Sequence, residues 1–358
     1  MTMRDVYRRI KHARNRPQDA FRRITRRSIL RTIGIDFSKQ TELQYVELGL
    51  FDSTIISKTL VSPAKEIAFF NTNIAFRHNF ESKFLIEITD VLVNSETNHV
   101  YVHDKTKKRY LLLKESSSWP TEVVLLNSQK PIKGSIQKIG KAALGLPASG
   151  FYHLLTDDLP NLLLDTQEQP LLMYKESSKT NREILQVLGK ELVQSDKWVW
   201  VESLTFVTKG QDLGYLHPRG AKALKEFGRG ISSGKRSSSQ KIYVSRSNSR
   251  RSMSSEISIE HYLAKKGFRI IHAENLTITE QILEFSQAKL VIGIHGAGLS
   301  NAIWSNKCSI IELMPIDRIN RCFEWQANIC GSPYRLLYFD PNQSAEVTLI
   351  PRLEDLDL

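Results

Sequence analysis

From Lys241 to Phe339 the sequence alternates short apolar runs with helix-periodic segments, which restricts this part of the chain to an α/β fold built on a parallel sheet. KIYVSR (241–246) is rich in β-formers, and EISIEHYLAKKG (256–267) follows it with Ile257, Tyr262 and Leu263 at helical spacing and a terminal Gly267. FRIIHA (268–273) reads as a strand. TITEQILEFSQA (277–288) then opens with Thr277 and Glu280 in the spacing of a capping box. KLVIGI (289–294), CSIIELMP (308–315) and PYRLLYF (333–339) complete five strands, with a short helix expected near LSNAIWS and another over RCFEWQANICG (321–331). Such a doubly wound, Rossmann-like half binds its ligands at the carboxyl ends of the strands.

The preceding half has weaker signals. FLIEITDVLV, HVYVHD and RYLLLKES (84–115) read as a hairpin-rich β region, and GFYHLLTDDLPNLLLD (150–165) as a helix in which Pro160 marks a kink or a restart. QPLLMYKES, TNREILQVLG and KWVWVESLTFV repeat the order strand, helix, strand. The Ser/Gly/Lys stretch ISSGKRSSSQ (231–240) is a seam without apolar periodicity, so the expected division is residues 32–235 as one α/β domain and 236–358 as a second.

Residues 1–31 form a third part. They hold eleven Lys and Arg against Asp5 and Asp19, a net of +9 out of +12 for the whole chain, so the body carries only +3. The basicity is therefore an arm, and a nucleic-acid-binding body is disfavoured. Val6, Tyr7, Ile10, Phe21, Ile24, Ile29 and Leu30 alternate loosely with the arginines, a pattern suited to an anionic membrane surface; a solvated terminus competes with that reading. There is no apolar signal region behind the arginines and no run of 18 apolar residues. Cys308, Cys322 and Cys330 are odd in number and lack C-x-x-C spacing, which points away from a disulfide framework or zinc site and toward a reducing cytoplasm.

The densest chemistry lies in GIHGAGLSN (293–301). A strand delivers His295 at its carboxyl end, Gly296 and Gly298 allow a sharp turn and close backbone approach, and the amides of the next helix suit a phosphate. The spacing is neither a dinucleotide fingerprint nor a P-loop, and a merely tight turn is the competing reading. Gly298-Leu299-Ser300 loosely resembles a hydrolase nucleophile elbow, but all nine histidines lie at or before position 295, so none follows the serine as that machinery requires. Arg246 ends its strand where a guanidinium can reach a pyrophosphate, and Glu312 ends another where an acid can hold ribose hydroxyls. Each has a plain alternative, a solvated arginine and a salt-bridged carboxylate. His153 and Asp157, four residues apart, share one face of a helix and could form a general-base unit; such pairs are more often ordinary surface pairs. Asp355-Leu356-Asp357 is the sole D-x-D and reads as a frayed tail, so no metal site is expected.

Together IYVSRSNSRRSMSSE, GFRIIHAENLTITEQILEFSQAKLVIGIHGAGLSNAIW and IIELMP resemble glycosyltransferase family 61, the likeness running from about Phe84 to Phe339. YHLLTDDLP is similar to the family's His, acidic, Leu-Pro motif but departs from it, with Leu154 where Trp is common after the His and Asn161 where Arg is common after the Pro. The resemblance implies a GT-B-like pair of Rossmann-like domains facing a cleft, with a β-rich N-terminal region, acceptor in 32–235 and donor in 236–358. It further implies inverting transfer from a nucleotide sugar to a glycan hydroxyl, a bacterial capsular-polysaccharide type of role, and no required cofactor or metal. In that scheme Asp157 or His153 is the base. Arg246, His295 and the amides after Gly296 receive the leaving diphosphate, Asn301 fixes the turn and Glu312 holds the ribose. His295 has three open roles: charged partner, neutral donor or structural pin. The arm would dock a cytoplasmic enzyme to the inner membrane face beside a lipid-linked acceptor. A different sugar-nucleotide enzyme such as an epimerase is disfavoured by the missing dinucleotide glycines. The rival outside enzymes is a non-catalytic module that binds anionic polymer or membrane through the arm.

Overall fold

Strand Lys83–Asn94 pairs with a neighbour on each edge and carries Ile86, Ile88, Val91, Leu92 and Val93 into the core, all nearly inaccessible. The computed structural model to which it belongs describes residues 55–71, 74–104, 109–113, 116, 136–165, 167–209, 214–234, 240–248, 253, 255–356 and 358. The basic arm, Asp357 and the middle of the Ser/Gly/Lys seam lie outside these residues. Among the described residues no helix is long and apolar enough to cross a membrane.

The first half contains β1 (Ile55–Ser62), β2 (Lys65–Asn71), β3 (Ile74–Phe80), β4 (Lys83–Asn94), β5 (His99–Asp104), β6 (Arg109–Leu112), β7 (Gln137–Ala143), β8 (Leu171–Tyr174), β9 (Leu192–Ser195) and β10 (Trp198–Val207). β2 and β3 form a separate antiparallel pair, and the rest make one sheet in the order β6-β5-β4-β10-β7-β8-β9, with β1 also on β4. The sheet changes character at β10, which runs antiparallel to β4 and parallel to β7. β7, β8 and β9 continue parallel. The hairpin-rich region expected over 84–115 is the antiparallel side of this sheet. β7 and β9 carry too little apolar patterning to stand out in the sequence, since most of their side chains are exposed or only partly buried.

Helix α1 spans 151–164 in three pieces: an α turn Phe151–His153, a π turn Leu154–Asp158 and an α segment Leu159–Leu164. Pro160 has no N–H to give to residue 156, and the backbone restarts around it, with the Leu159 amide bonding back to Leu154. α2 (Lys179–Val187) lies between β8 and β9, and α3 (Pro218–Ser232) follows β10.

The second half is regular. β11 (Lys241–Val244), β12 (Arg269–Ile271), β13 (Leu290–Ile294), β14 (Ser309–Pro315) and β15 (Tyr334–Phe339) are all parallel, in the order β12-β11-β13-β14-β15. They alternate with α4 (Glu256–Lys265), α5 (Ile278–Ser286), a 3₁₀ segment Ala297–Trp304 and α6 (Cys322–Cys330). The capping box on α5 is present: Thr277 Oγ1 accepts from the Glu280 amide at 3.2 Å, and Glu280 Oε2 accepts from the Thr277 amide at 2.7 Å. Of the acidic tail expected to fray, Asp355 and Leu356 are tied back by amide hydrogen bonds to the Pro351 and Leu353 carbonyls, and Asp357 lies outside the described residues. α7 (Ala345–Thr348) and α8 (Ile350–Glu354) fold the chain back and bury Leu349 and Leu353 completely against Tyr243, Ile292 and Leu313.

The described residues fall in one compact unit, in which a single buried cluster includes Ala143, Leu159 and Leu185 from the first sheet's side and Ile242, Val291 and Ile303 from the second's. Helix α3 is the joint. A Cβ at Gly220 would lie 2.7 Å from Pro160 Cβ of α1, and one at Gly228 would lie 3.0 Å from Trp304 Cε3 of the 3₁₀ segment, so the helix is seated on both halves at bare glycines. Ordinarily Gly→Ala within a helix stabilises by about 0.5–1 kcal/mol. That gain is expected at Gly230, which is exposed with nothing within 4 Å. At Gly220 overpacking against Pro160 reverses the sign, and Gly220→Ala should cost about 1–3 kcal/mol. Urea unfolding of the two variants beside the wild type checks this, and stabilisation by both would refute the tight seat of α3.

Candidate functional site

Numbered along the chain, the second sheet has the order 2-1-3-4-5, whose topological switch point falls between β11 and β13. The first residues beyond these strand ends bring Arg246 and His295 together, because the Arg246 Nη1 donates to the His295 carbonyl. The turn between them is packed by side chains. A Cβ at Gly296 would sit 2.6 Å from Arg246 Nε, and one at Gly298 would sit 2.8 Å from Val244 Cγ1. Gly296 has φ 172°, extended backbone open to any residue, so it is bare to make room for the guanidinium. That differs from the expected close approach of backbone to ligand.

Helix α4 holds the Arg246 segment from beneath. Glu256 Oε1 accepts from the Arg246 amide at 2.7 Å and from the Tyr243 hydroxyl at 3.0 Å, and Glu260 Oε1 accepts from Ser245 Oγ at 2.5 Å. Burial pushes the Glu256 carboxyl above its ordinary range. None of these carboxylates was singled out in the sequence; their spacing of four on one helix face was the available signal.

His295 Nδ1 lies 2.5 Å from Glu312 Oε1, and the second Glu312 oxygen accepts from the Tyr334 hydroxyl. Glu312 is 0% exposed. With both oxygens engaged and no path to solvent, it does not serve the ribose contact expected for a strand-end acid; it orients the imidazole. The bond through Nδ1 leaves His295 Nε2 for a ligand. Asn301 is likewise 0% exposed, its Nδ2 donating to the Gly298 carbonyl and its Oδ1 accepting from Trp304 Nε1. Both polar atoms of its side chain are thus engaged within the turn. Ser300 is buried with Oγ donating to the Ala297 carbonyl at 2.6 Å, a poor arrangement for a nucleophile.

The second constellation stands on α1. His153 Nδ1 is 2.7 Å from Asp157 Oδ2, while Asp157 Oδ1 accepts from the Gly214 amide at 2.9 Å. Asp157 is buried and His153 half-exposed. The carboxylate is thus fully occupied in holding the ring, and His153 Nε2 is the atom left to exchange a proton. The hydrogen bond to Asp157 holds the His153 pKa above the ordinary histidine value, against the opposing effect of burial. Burial pushes the Asp157 carboxyl up in turn. Gly214 has φ +80°, in the left-handed region that favours glycine, and its carbonyl accepts from the Tyr152 hydroxyl at 2.7 Å. No sequence pattern marked this residue.

Aromatic contacts link the two constellations. Tyr152 packs edge-on to His153 at 5.6 Å and to Phe323 at 5.3 Å, and Phe323 packs edge-on to His295 at 5.3 Å. Two His–carboxylate pairs therefore flank one Tyr–Phe contact. Among the described residues no group of three or more His, Cys, Asp or Glu is arranged to hold a metal ion. Burial pushes the Cys322 thiol up to about 12, which makes it a poor nucleophile.

A guanidinium and an oriented imidazole meet at the switch point of a parallel α/β sheet, and a second oriented imidazole stands across the Tyr–Phe contact, a set of groups chemically able to meet an anion and to exchange a proton. The comparison with protein families points the same way: the model described as Glycosyltransferase 61 matches residues 151–311, a span that is similar to that family. The matched span holds His153, Asp157, Arg246, His295, Gly296, Gly298 and Asn301 and ends one residue before Glu312. A search of curated proteins finds no match.

Proposed function

We propose that this chain transfers a sugar from a nucleotide-sugar donor to a hydroxyl of a glycan acceptor, with inversion and without a required metal or other cofactor, in cell-surface polysaccharide synthesis. The observation that carries the reading is the meeting of Arg246 and His295 at the switch point, within the family domain that also contains the His153–Asp157 pair. In this scheme residues 236–358 hold the donor and 32–235 the acceptor, a GT-B-like division across a cleft. The arm at 1–31 would bring a cytoplasmic enzyme to the anionic inner face of the membrane, where a lipid-linked acceptor would be at hand.

The acceptor hydroxyl gives its proton to His153 Nε2 as its oxygen forms a bond to the anomeric carbon. The bond from that carbon to the diphosphate oxygen breaks on the opposite face, and the electron pair leaves with the nucleoside diphosphate. Arg246 and His295 Nε2 would meet that charge, and the permanently charged guanidinium would do the work that a divalent ion would otherwise do. Asp157 and Glu312 touch neither substrate; each orients its histidine.

Thermal-shift screening of nucleoside diphosphates and nucleotide sugars in excess EDTA tests the reading. A cognate donor at about 100 times its Kd should stabilise the fold by about 2.7 kcal/mol. A panel that raises Tm only when Mg²⁺ or Mn²⁺ is added would overturn metal independence, and a panel with no effect under either condition would count against the donor site.

A further inference from the structure

A cavity of about 210 Å³ opens beside His153, walled by residues 147–149, Gly150, Thr97, His99, Asp157, Asp158 and Lys209. Its charges cancel locally. Lys209 Nζ lies 2.8 Å from Asp158 Oδ1, with both side chains nearly buried, and Asp157 is committed to His153. Burying an ion pair costs several kcal/mol per ion before the attraction repays it, so a pair held at a cavity wall is a costly way merely to close a surface. Burial, with help from Lys209, pushes the His99 pKa down to about 4, so near neutrality its ring offers hydrogen bonds without charge. His99 Nδ1 lies 3.1 Å from Thr97 Oγ1. A cavity of about 150 Å³ accommodates benzene, so this one has room for a six-membered ring whose substituents reach the mouth.

We propose that this cavity receives one uncharged pyranose ring of the acceptor glycan, its hydroxyls bonded to His99 and to the Asp158–Lys209 pair and the attacking hydroxyl turned to His153. The inference rests on the reading of His153 as the base, and it names the acceptor's chemical class: a neutral sugar, with uronates and phosphorylated sugars excluded because among the described residues no uncompensated cation lines the cavity. Gly150 makes the cavity testable. It stands on the wall with φ −68° and ψ 150°, a conformation open to any residue, and a Cβ there meets nothing within 4 Å.

Saturation-transfer NMR with the methyl pyranosides of glucose, galactose and mannose, beside methyl glucuronoside, reads occupancy of the cavity without requiring turnover. At least one neutral glycoside should bind the full-length protein. Gly150→Trp, which fills the space, and His99→Phe, which keeps the ring shape but removes its hydrogen bonding, should each weaken that binding by about tenfold or more. The glucuronoside should give no signal. The proposal is overturned if no neutral glycoside binds, if both variants bind as the wild type does, or if the glucuronoside binds equally well. Nucleoside diphosphate binding, followed on the same samples, separates this inference from the reading beneath it. Glycosides that bind as expected without any nucleotide binding would leave the cavity standing and remove the donor site; nucleotide binding alone would remove the cavity.

Discussion

Asp157→Asn and His153→Gln should each reduce turnover by about 10²–10⁴-fold, the usual worth of a positioned general base, while leaving nucleotide binding at the switch point unchanged. The two variants differ in their pH dependence. The hydrogen bond to Asp157 raises the His153 pKa. The protonated ring is therefore the favoured form at low pH, and the neutral ring that can accept a proton appears only as pH rises through the raised value. Activity of the wild type should accordingly climb along a limb lying above the ordinary histidine pKa of about 6.5. Asp157→Asn removes the largest cause of that elevation, so the limb should move to lower pH even as the plateau falls. In His153→Gln the limb should disappear. The same raised pKa makes a contribution to stability that is fully present below the unfolded-state value and lost as pH rises through the folded one, so the folded protein gives up a little stability over the window in which it gains activity. The profile of kcat/KM reads the first effect, and an unmoved limb in Asp157→Asn would remove Asp157 from its positioning role.

The second large effect is on the donor side. Hydrogen bonds to charged groups contribute about 1.5–3 kcal/mol each, so Arg246→Ala should weaken nucleoside diphosphate binding by about one to two orders of magnitude. Glu312→Gln is subtler. The carboxylate now accepts from both His295 Nδ1 and the Tyr334 hydroxyl. A carboxamide has one oxygen, so one of these donors would face an NH₂ group in a fully buried place. The expected cost is about 1–3 kcal/mol of stability. Loss of the His295 orientation should also show as weaker diphosphate binding, whereas a merely structural Glu312 would lower Tm and leave the affinity of the surviving folded protein intact. Tyr334→Phe supplies the intermediate case: His295 keeps its partner, so affinity should hold better than in Glu312→Gln. Isothermal titration with nucleoside diphosphates checks all three.

The second sheet was legible in the sequence because each strand is a short apolar run with its own punctuation. Gly267 has φ +81° after α4, the Thr277–Glu280 box opens α5, and Gly331 has φ +67° after α6. Local signals of that kind survive folding unchanged. The His153–Asp157 pair was legible for the same reason, since a separation of four residues is a local distance. Positions whose role depends on what arrives from elsewhere were not. Glu312 reads as a strand-end acid facing the crevice, yet β13 and β15 flank β14 and present His295 and Tyr334 to it. Gly296 reads as a turn glycine, but the atom it makes way for belongs to Arg246, distant in sequence. Gly214, Tyr152 and Phe323 carry no pattern of their own; they matter only because the loop after β10 and helix α6 close on α1. Burial, more than residue type, separated the side chains that can meet a substrate from those that hold them in place.

The central claim is that one chain holds a nucleotide-sugar donor at the β11–β13 switch point and activates an acceptor hydroxyl at His153. Proton NMR of the full-length protein with a stabilising nucleotide sugar, a neutral glycoside acceptor and EDTA follows the anomeric signal directly. The account predicts a new glycosidic anomeric proton of inverted configuration, formed by wild type and strongly diminished in His153→Gln although that variant still binds the donor. A retained configuration, or undiminished transfer by His153→Gln, would contradict it.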